Sequence, residues 1–280
     1  MGFWSGVCNA CSSIASGLGR AINDMGENLS EFASKSISTV ASFLAGKAAS
    51  FIGLVAKLRN GPLGPILGPI VEKLILQVVE KGIQYLAKKL GIIKEDEKAE
   101  KVGYLMEEAN EHKDWKKQEE FSSFEEYYAY LKKQIPYEQM DLNKLRDNQD
   151  RYMVLGTIAL TKGLEEKLGI ELSEEFLFEI GKSRMEGTEI QAIIEAFKAL
   201  GYGSVNAGAY LRGELSREES KRITEALITN MKQYYPDKEE SSLHERLGVM
   251  RAVSRDENEM KEIYKDKLEE IAKTQKMPEI

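Results

Sequence analysis

The sequence has few of the residues from which disulfide-rich, metal-binding and β-sheet proteins are built. Two cysteines and two histidines occur among 280 residues. This excludes a disulfide framework and leaves little material for a metal site. Six prolines and few β-branched runs argue against a β-sandwich or barrel. The net charge of −7 argues against nucleic-acid binding, because such proteins need a concentrated basic face.

The charged residues that are present lie unevenly along the chain. Residues 1–93 contain nine basic and five acidic side chains, whereas residues 94–280 contain 30 basic and 41 acidic ones. The first part is sparsely charged with a net charge of +4, and the second is densely charged with a net charge of −11. Such a shift indicates regions with different surroundings or partners. We therefore predict a membrane-active domain over 1–93 and an acidic α-helical domain over 94–280.

Small residues repeat every four positions in the helix that we predict after Ser30. One ridge is small except for Ile37, and its neighbour is rich in serine. Small residues at this spacing let helix backbones approach closely, which is the main route of helix association in lipid. We predict helix packing in a membrane at Ala41, Ala45, Ala49 and Gly53, and a polar path at Ser34, Ser38, Ser42 and Ser50. The alternative is an alanine-rich helix in the core of a soluble bundle.

The segment 36–56 has the length of a membrane span without the hydrophobicity of a stable one. As a helix it extends about 31 Å, which matches the hydrocarbon core. Its strongly apolar side chains contribute about −3.6 kcal/mol on the insertion scale, and Lys47 costs about +3 kcal/mol near the centre. This balance predicts conditional insertion, as a hairpin or an oligomer that shelters Lys47.

An uncharged stretch with three Gly-Pro steps follows over residues 60–71. The steps are Gly61-Pro62, Gly64-Pro65 and Gly68-Pro69. Because proline removes a hydrogen-bond donor and glycine loosens the backbone, we predict that no continuous helix crosses this stretch. The six residues then form a hinge at the tip of a hairpin. Apolar residues recur every four positions from residue 70 to residue 90, which predicts an amphipathic helix on a bilayer or in a bundle.

Residues with chemical potential lack the spacing of a catalytic or metal site. Cys8 and Cys11 form a C-x-x-C pair without the strand pattern of a redox motif, and two thiols on one helix face is the favoured interpretation. His112 and His244 lie far from that pair in sequence and from each other. Five acidic pairs in polar stretches are interpreted as solvated helix faces. They are Glu107-Glu108, Glu119-Glu120, Glu125-Glu126, Glu165-Glu166 and Glu174-Glu175. We expect no enzyme activity, catalytic residue, cofactor or metal.

The acidic domain is predicted to be a series of helices, so the fold class is all-α. The predicted spans are 98–118, 123–135, 138–148, 150–168, 174–185, 189–200, 204–212, 217–235, 241–253 and 256–275. Ser122 with Glu125 suggests a capping box, and Gly169 and Gly201 suggest helix ends. The tyrosines Tyr127, Tyr128, Tyr130 and Tyr137 cluster around one predicted helix, as a partner surface or, more often, as core and rim.

Residues 30–93 combine a helix of membrane length, an apolar Gly-Pro tip and an amphipathic helix. In composition this resembles the hydrophobic helical hairpin of colicin-type pore-forming toxins. It is also similar to small-residue-rich, pore-forming effectors of bacterial type VI secretion systems. The resemblance implies an antibacterial, ion-leaking toxin, made in the cytoplasm without a signal peptide and exported by a specialised system. Its implied partners are membrane lipid, a carrier, chaperone or immunity protein, and further copies of itself in the membrane.

Two other functions stay open at this point. The first is a non-enzymatic interaction or structural protein whose N-terminal hairpin packs against itself or a partner. The second is an enzyme whose site no motif reveals.

Overall fold

The computed structural model describes residues 64–112, 114–256 and 259. Over these residues the chain forms ten α-helices, two short 3₁₀ turns and two strands of two residues each. The all-α prediction is therefore confirmed. Several predictions lie outside the described residues. They concern Ser34, Ser38, Ala41, Ser42, Ala45, Ala49, Ser50 and Gly53, the Cys8–Cys11 pair, the Gly61-Pro62 step and most of the helix over 256–275.

The described residues divide into two compact units. Unit one contains residues 79–170, and unit two contains residues 64–78 and 171–256. The helices that lie in unit one, wholly or in part, are α1 (Gly64–Lys89), α2 (Ala99–Glu111), α3 (Phe124–Gln134), α4 (Leu142–Asp147) and α5 (Gln149–Leu168). The two 3₁₀ turns, Gln118–Glu120 and Tyr137–Gln139, flank α3. The domain boundary that we predict at residue 93 stays a prediction.

Helix α1 differs from the prediction at its start. It begins at Gly64 and runs through Pro65, Gly68 and Pro69. The prediction that no helix crosses this stretch is therefore wrong from Gly64 onward. Proline has no backbone N–H to donate to the preceding turn, so each proline within the helix costs it one intrahelical bond at most. The hinge role of the Gly-Pro residues stays a prediction.

The closest helix packing in unit one is a crossing of α2 and α5 at glycines. A Cβ added to Gly156 would lie 1.7 Å from the carbonyl oxygen of Ala99, and one added to Gly103 would lie 2.0 Å from that of Tyr152. Both glycines are therefore required for the helices to approach this closely. Beside the crossing, the rings of Tyr104 and Tyr152 pack edge to face with centroids 5.5 Å apart.

Helix α3 begins one residue later than the predicted capping box implies. The hydroxyl oxygen of Ser123 accepts from the N–H of Glu126 at 3.2 Å, which makes Ser123 the N-cap. The carboxylate of Glu126 accepts in turn from the N–H and the hydroxyl of Ser122. The predicted Ser122–Glu125 box is wrong by one position, because an adjacent serine and an adjacent glutamate satisfy the same pattern. Tyr127 and Tyr128 are buried in the core.

Besides the first turns of α1, the described part of unit two contains five helices and a minimal parallel sheet. In chain order the elements are β1 (Glu171–Leu172), α6 (Glu174–Lys182), α7 (Gly187–Ala199), β2 (Ser204–Val205), α8 (Ala207–Arg212), α9 (Arg217–Tyr234) and α10 (Glu240–Arg255). Glu171 pairs with Ser204 and Leu172 with Val205. The helix predicted over 204–212 therefore begins later, at Ala207, since its first residues form β2.

Glycines end the helices before both strands, as predicted. Gly169, after α5, has φ +65°. Gly201, after α7, has φ +81° and donates to the carbonyl of Lys198, while Tyr202 donates to that of Phe197. These two bonds form a Schellman motif, which favours glycine at its left-handed position. A core cluster of Ala192, Ile228, Met231 and Leu243 joins α7, α9 and α10.

Candidate functional site at the end of the first helix

Within the predicted membrane-active domain, the structure describes the side chains of the last turns of α1. One face of these turns is apolar and buried, and it contains Val79, Ile83, Leu86 and Ala87. Lys81 and Lys89 are exposed. The amphipathic pattern predicted for this helix is therefore confirmed for its last three turns. The buried apolar face is the arrangement expected of a helix in a bundle.

The chain leaves α1 through a second Schellman motif. Gly91 has φ +73° and donates to the carbonyl of Lys88 at 2.9 Å. Ile92 donates to the carbonyl of Ala87 at 2.8 Å. The following Ile92 and Ile93 are 4% and 3% exposed, so they anchor the chain at the predicted domain boundary. The end of α1 is therefore fixed by backbone bonds and by two buried isoleucines.

A side chain of α1 also caps the start of α2. The N-cap residue of α2 is Lys98, which offers no side-chain acceptor. The N–H of Ala99 donates instead to Oε1 of Gln84, at 2.8 Å. This bond satisfies one of the N–H groups that the first turn of a helix leaves unpaired. Separation of α1 from α2 breaks this bond.

Two glutamates lie close to this contact, and their charges repel one another. Burial and the nearby charge of Glu100 raise the pKa of Glu80 from its ordinary 4.5 to about 7, against the opposing charges of Lys81, Lys98 and Lys88. Oε1 of Glu100 accepts from Gln149 on α5 at 3.1 Å. Oε2 of Glu100 is buried and has no hydrogen-bond partner within the part of the chain that the structure describes. A buried carboxylate oxygen without a partner is costly when ionised.

A cleft of about 470 Å³ lies between the end of α1 and α3. Its lining includes the three lysines Lys88, Lys94 and Lys132 and the ring of Tyr128. Lys88 donates to the backbone carbonyl of Glu95, and Lys132 pairs with Glu97 at 3.1 Å. Burial raises the pKa of Tyr128 well above its usual range, and the charges of Glu97 and Asp96 act in the same direction. Two of the lysines therefore stabilise the fold, which argues against an anion site here.

The acidic pair Glu107-Glu108 was predicted to be solvated and is buried instead. The two side chains are 3% and 9% exposed. Nζ of Lys144, on α4, lies 2.7 Å from Glu108 and 3.9 Å from Glu107. The hydroxyl of Tyr152 donates to Glu107 at 3.2 Å. Burial is tolerated because a cation and a hydroxyl from neighbouring helices replace water.

The charge of Lys144 is maintained by the same carboxylates. Burial lowers its pKa, but the hydrogen bond and charge of Glu108, together with the charges of Glu111 and Glu107, raise the pKa on balance. The prediction of a solvated pair is also wrong for Glu165, which is 8% exposed, whereas Glu119 and Glu120 are exposed as predicted. The sequence cannot distinguish these cases, because the covering side chains come from distant positions.

Sequence reasoning did not single out Glu80, Gln84 and Glu100. One signal was present, since Glu80 interrupts the cluster of apolar residues around Val79 and Ile83. Both histidines make local contacts. The His112 ring stacks on Trp115 with centroids 4.4 Å apart, and His244 lies 3.5 Å from Glu240. Among the described side chains, no group of three or more His, Cys, Asp or Glu has the arrangement of a metal site.

None of the helices over the described residues is both long and apolar enough to cross a membrane. No protein-family model, curated protein or solved structure matches the chain.

Proposed function

We propose that the protein is a pore-forming, ion-leak toxin or effector whose first third inserts into a target membrane. The observation that carries this proposal is the docked end of α1. Its buried apolar face belongs to the sparsely charged third of the chain, yet it is fixed to the charged, folded body. The body thereby supplies a folded support for a segment whose small-residue ridges favour helix association in lipid.

The proposal assigns separate roles to the residues of the first third. Ala41, Ala45, Ala49 and Gly53 pack helices against one another, and Ser34, Ser38, Ser42 and Ser50 line the path of the ions. The partners are membrane lipid, other copies of the chain in the membrane, and a carrier, chaperone or immunity protein that binds before insertion. The chain reaches its target through a specialised export system.

Dye release from lipid vesicles tests this function directly. Full-length protein is added to vesicles of phosphatidylethanolamine and phosphatidylglycerol at several pH values between 5 and 8. We expect release, and a lower rate for Ala45→Leu and Gly53→Leu, because a large side chain separates helices that small residues bring together. Gly248→Leu, on the exposed face of α10, serves as the matched control and keeps the wild-type rate. Absence of release at every pH refutes the proposal.

A second function is favoured by the burial of Val79, Ile83, Leu86 and Ala87. These contacts are also those of a non-enzymatic interaction or structural protein whose N-terminal helices pack in its own fold. Hydrogen exchange over residues 77–90, with and without vesicles, distinguishes the two functions. The membrane function predicts altered protection when vesicles are present, and the structural function predicts the same protection with and without vesicles.

A further inference from the structure

Helix α1 meets α2 through one hydrogen bond and one pair of like charges. The bond from Ala99 to Gln84 holds the two helices together. One turn earlier on α1, Glu80 interacts with Glu100 in the second position of α2. Attraction and repulsion therefore act at the same contact. The bond is independent of pH, whereas the repulsion exists only while both carboxylates are ionised.

The surroundings of the two carboxylates provide little compensation for a second negative charge. Glu100 has one oxygen bonded to Gln149, a neutral donor, and its other oxygen is buried without a partner among the described residues. The cations acting on Glu80 are Lys98 next to α2, and Lys81 and Lys88 on α1 itself. Lys88 is already bonded to the carbonyl of Glu95, and Lys81 is exposed to water, which screens its charge.

We propose that Glu80 and Glu100 form a proton-controlled contact, in which a proton on Glu80 holds the last turns of α1 against the start of α2. Loss of this proton places a second negative charge near that of Glu100 in a partly buried site, and the end of α1 separates more readily. The contact is therefore firm in acid and loose at neutral pH.

The direction of the pH dependence follows from the pKa values of the docked and separated states. Glu80 has a pKa of about 7 when docked and an ordinary value of 4.5 when separated. The docked state therefore binds more protons between pH 4.5 and 7, and docking weakens as the pH rises through this interval. Above about pH 8 both states have lost the proton, and the dependence ends. If the membrane function holds, release of α1 is favoured at neutral rather than acidic pH.

Amide hydrogen exchange of the full-length protein tests the contact without any membrane. Protection of residues 80–89, corrected for the intrinsic exchange rate, is measured at pH 5, 6, 7 and 8. We expect protection to fall from pH 5 to pH 7, by at most about tenfold per pH unit, which is the limit for one proton. Between pH 7 and pH 8 the fall is at most about twofold, because about half of the protein has already lost the proton at pH 7.

Two substitutions and a control test whether the contact of Glu80 with Glu100 causes the fall in protection. Glu80→Gln removes the titrating group and is expected to make protection nearly constant from pH 5 to pH 8. Glu100→Gln removes the repelling charge but leaves Glu80 buried, so it is expected to reduce the fall in protection without abolishing it. Glu119→Gln, at an exposed position of unit one, retains the wild-type dependence. A constant protection in the wild type, or an unchanged fall in both pair variants, overturns the proposal.

This inference extends the proposed function, and dye release separates the failure of one from that of the other. If both are correct, release is faster at pH 8 than at pH 5, and Glu80→Gln slows it at pH 8. Release that does not depend on Glu80 overturns the link between the contact and insertion. Exchange data of the expected form together with no release at any pH refute the membrane function alone.

Discussion

The two units differ in the contacts that hold their helices together. In unit one, α2 and α5 approach until backbone meets backbone, since Gly103 and Gly156 have no side chains to keep them apart. In unit two, Arg246 of α10 reaches across to Glu189 of α7 at 2.7 Å and also donates to the carbonyl of Arg184. The first unit is therefore sensitive to added volume at its crossing, and the second to the loss of a buried charge.

The arginine contact in unit two also fixes an unusual backbone conformation. Arg184 has φ +47°, the only positive φ of a residue other than glycine in the described part of the chain. This conformation is costly for residues with a Cβ atom. Arg246 donates to the carbonyls of both Ser183 and Arg184, at 3.0 and 3.3 Å. The partly buried cation of Arg246 thus stabilises the turn between α6 and α7 and also pairs with Glu189.

The largest effect is expected from Gly156→Ala. Its methyl group would lie 1.7 Å from the carbonyl oxygen of Ala99, so α2 and α5 must separate by roughly 1 Å or more. We expect unit one to lose about 3 kcal/mol of stability. Gly248→Ala, in α10, is the matched control, because the added methyl group meets no neighbouring element among the described residues. It is expected to stabilise unit two by about 0.5–1 kcal/mol.

Urea denaturation, followed by hydrogen exchange in each unit, measures both glycine variants. Equal losses of stability in the two alanine variants contradict the conclusion that the crossing of α2 and α5 requires glycine.

Arg246→Ala tests the corresponding contact of unit two. It leaves Glu189 buried without its cation and removes the bonds to two carbonyl groups. Because the side chain of Arg246 is 27% exposed, water compensates in part, and we expect a loss of about 2 kcal/mol. The double variant Glu189→Leu with Arg246→Met removes both charges and recovers part of that stability. If the double variant is no more stable than Arg246→Ala, the unpaired charge is not the cause.

A smaller, pH-dependent effect is expected at Glu179 in unit two. Burial raises the pKa of this carboxyl group, against the opposing charge of Lys182 and the hydrogen bond from Ser254. A raised pKa means that the folded state favours the proton, so the contribution of Glu179 to stability decreases as the pH rises from 4 toward neutral. Glu179→Gln carries no such charge. Relative to the wild type, we expect the stability of this variant to increase between pH 4 and pH 7.

Urea denaturation at several pH values measures this difference. Glu119→Gln, at an exposed position, provides the reference in which the wild-type pH dependence is retained. A wild type whose stability relative to Glu179→Gln does not change with pH contradicts the prediction.

The smallest effects on stability are expected at two helix N-caps, Ser173 of α6 and Ser123 of α3. Ser173 accepts from Phe176 at the start of α6 and donates to Val205 in β2, whereas Ser123 caps α3 by accepting from Glu126, with no second bond to another described element. We expect about 1 kcal/mol to be lost in Ser173→Ala and about 0.5 kcal/mol in Ser123→Ala. Thermal unfolding of the two variants and the wild type measures the order. A larger loss in Ser123→Ala contradicts the additional role of Ser173.

Most helices of the charged domain could be predicted because their signals are local. The apolar stripe of α7, the stop at Gly201 and the end of α3 before Pro136 depend on residues within a few positions of each other. The shift from Ser122 to Ser123 shows the limit of such signals, since neighbouring residues satisfied the same pattern. The strands were missed because two residues are too short for an alternating pattern.

The candidate site was predictable only in part. The amphipathic face of α1 followed from its spacing, and the buried residues Val79, Ile83 and Leu86 agree with it. The proximity of Glu80 and Glu100 did not follow, because the two residues lie on different helices and 20 positions apart in sequence. The burial of Glu107 did not follow either, because its partner Tyr152 is 45 residues away in sequence.

The sequence by itself determined the helical fold class, most helix ends and the contrast between a sparsely charged first third and a densely charged remainder. Periodicity, caps and composition act over short distances along the chain, so they are legible without coordinates. The tertiary structure alone decided which carboxylates are buried, which glycines meet a backbone and which charges face one another. Burial and electrostatic interaction depend on distance in space, and residues far apart in sequence supply the atoms that replace water.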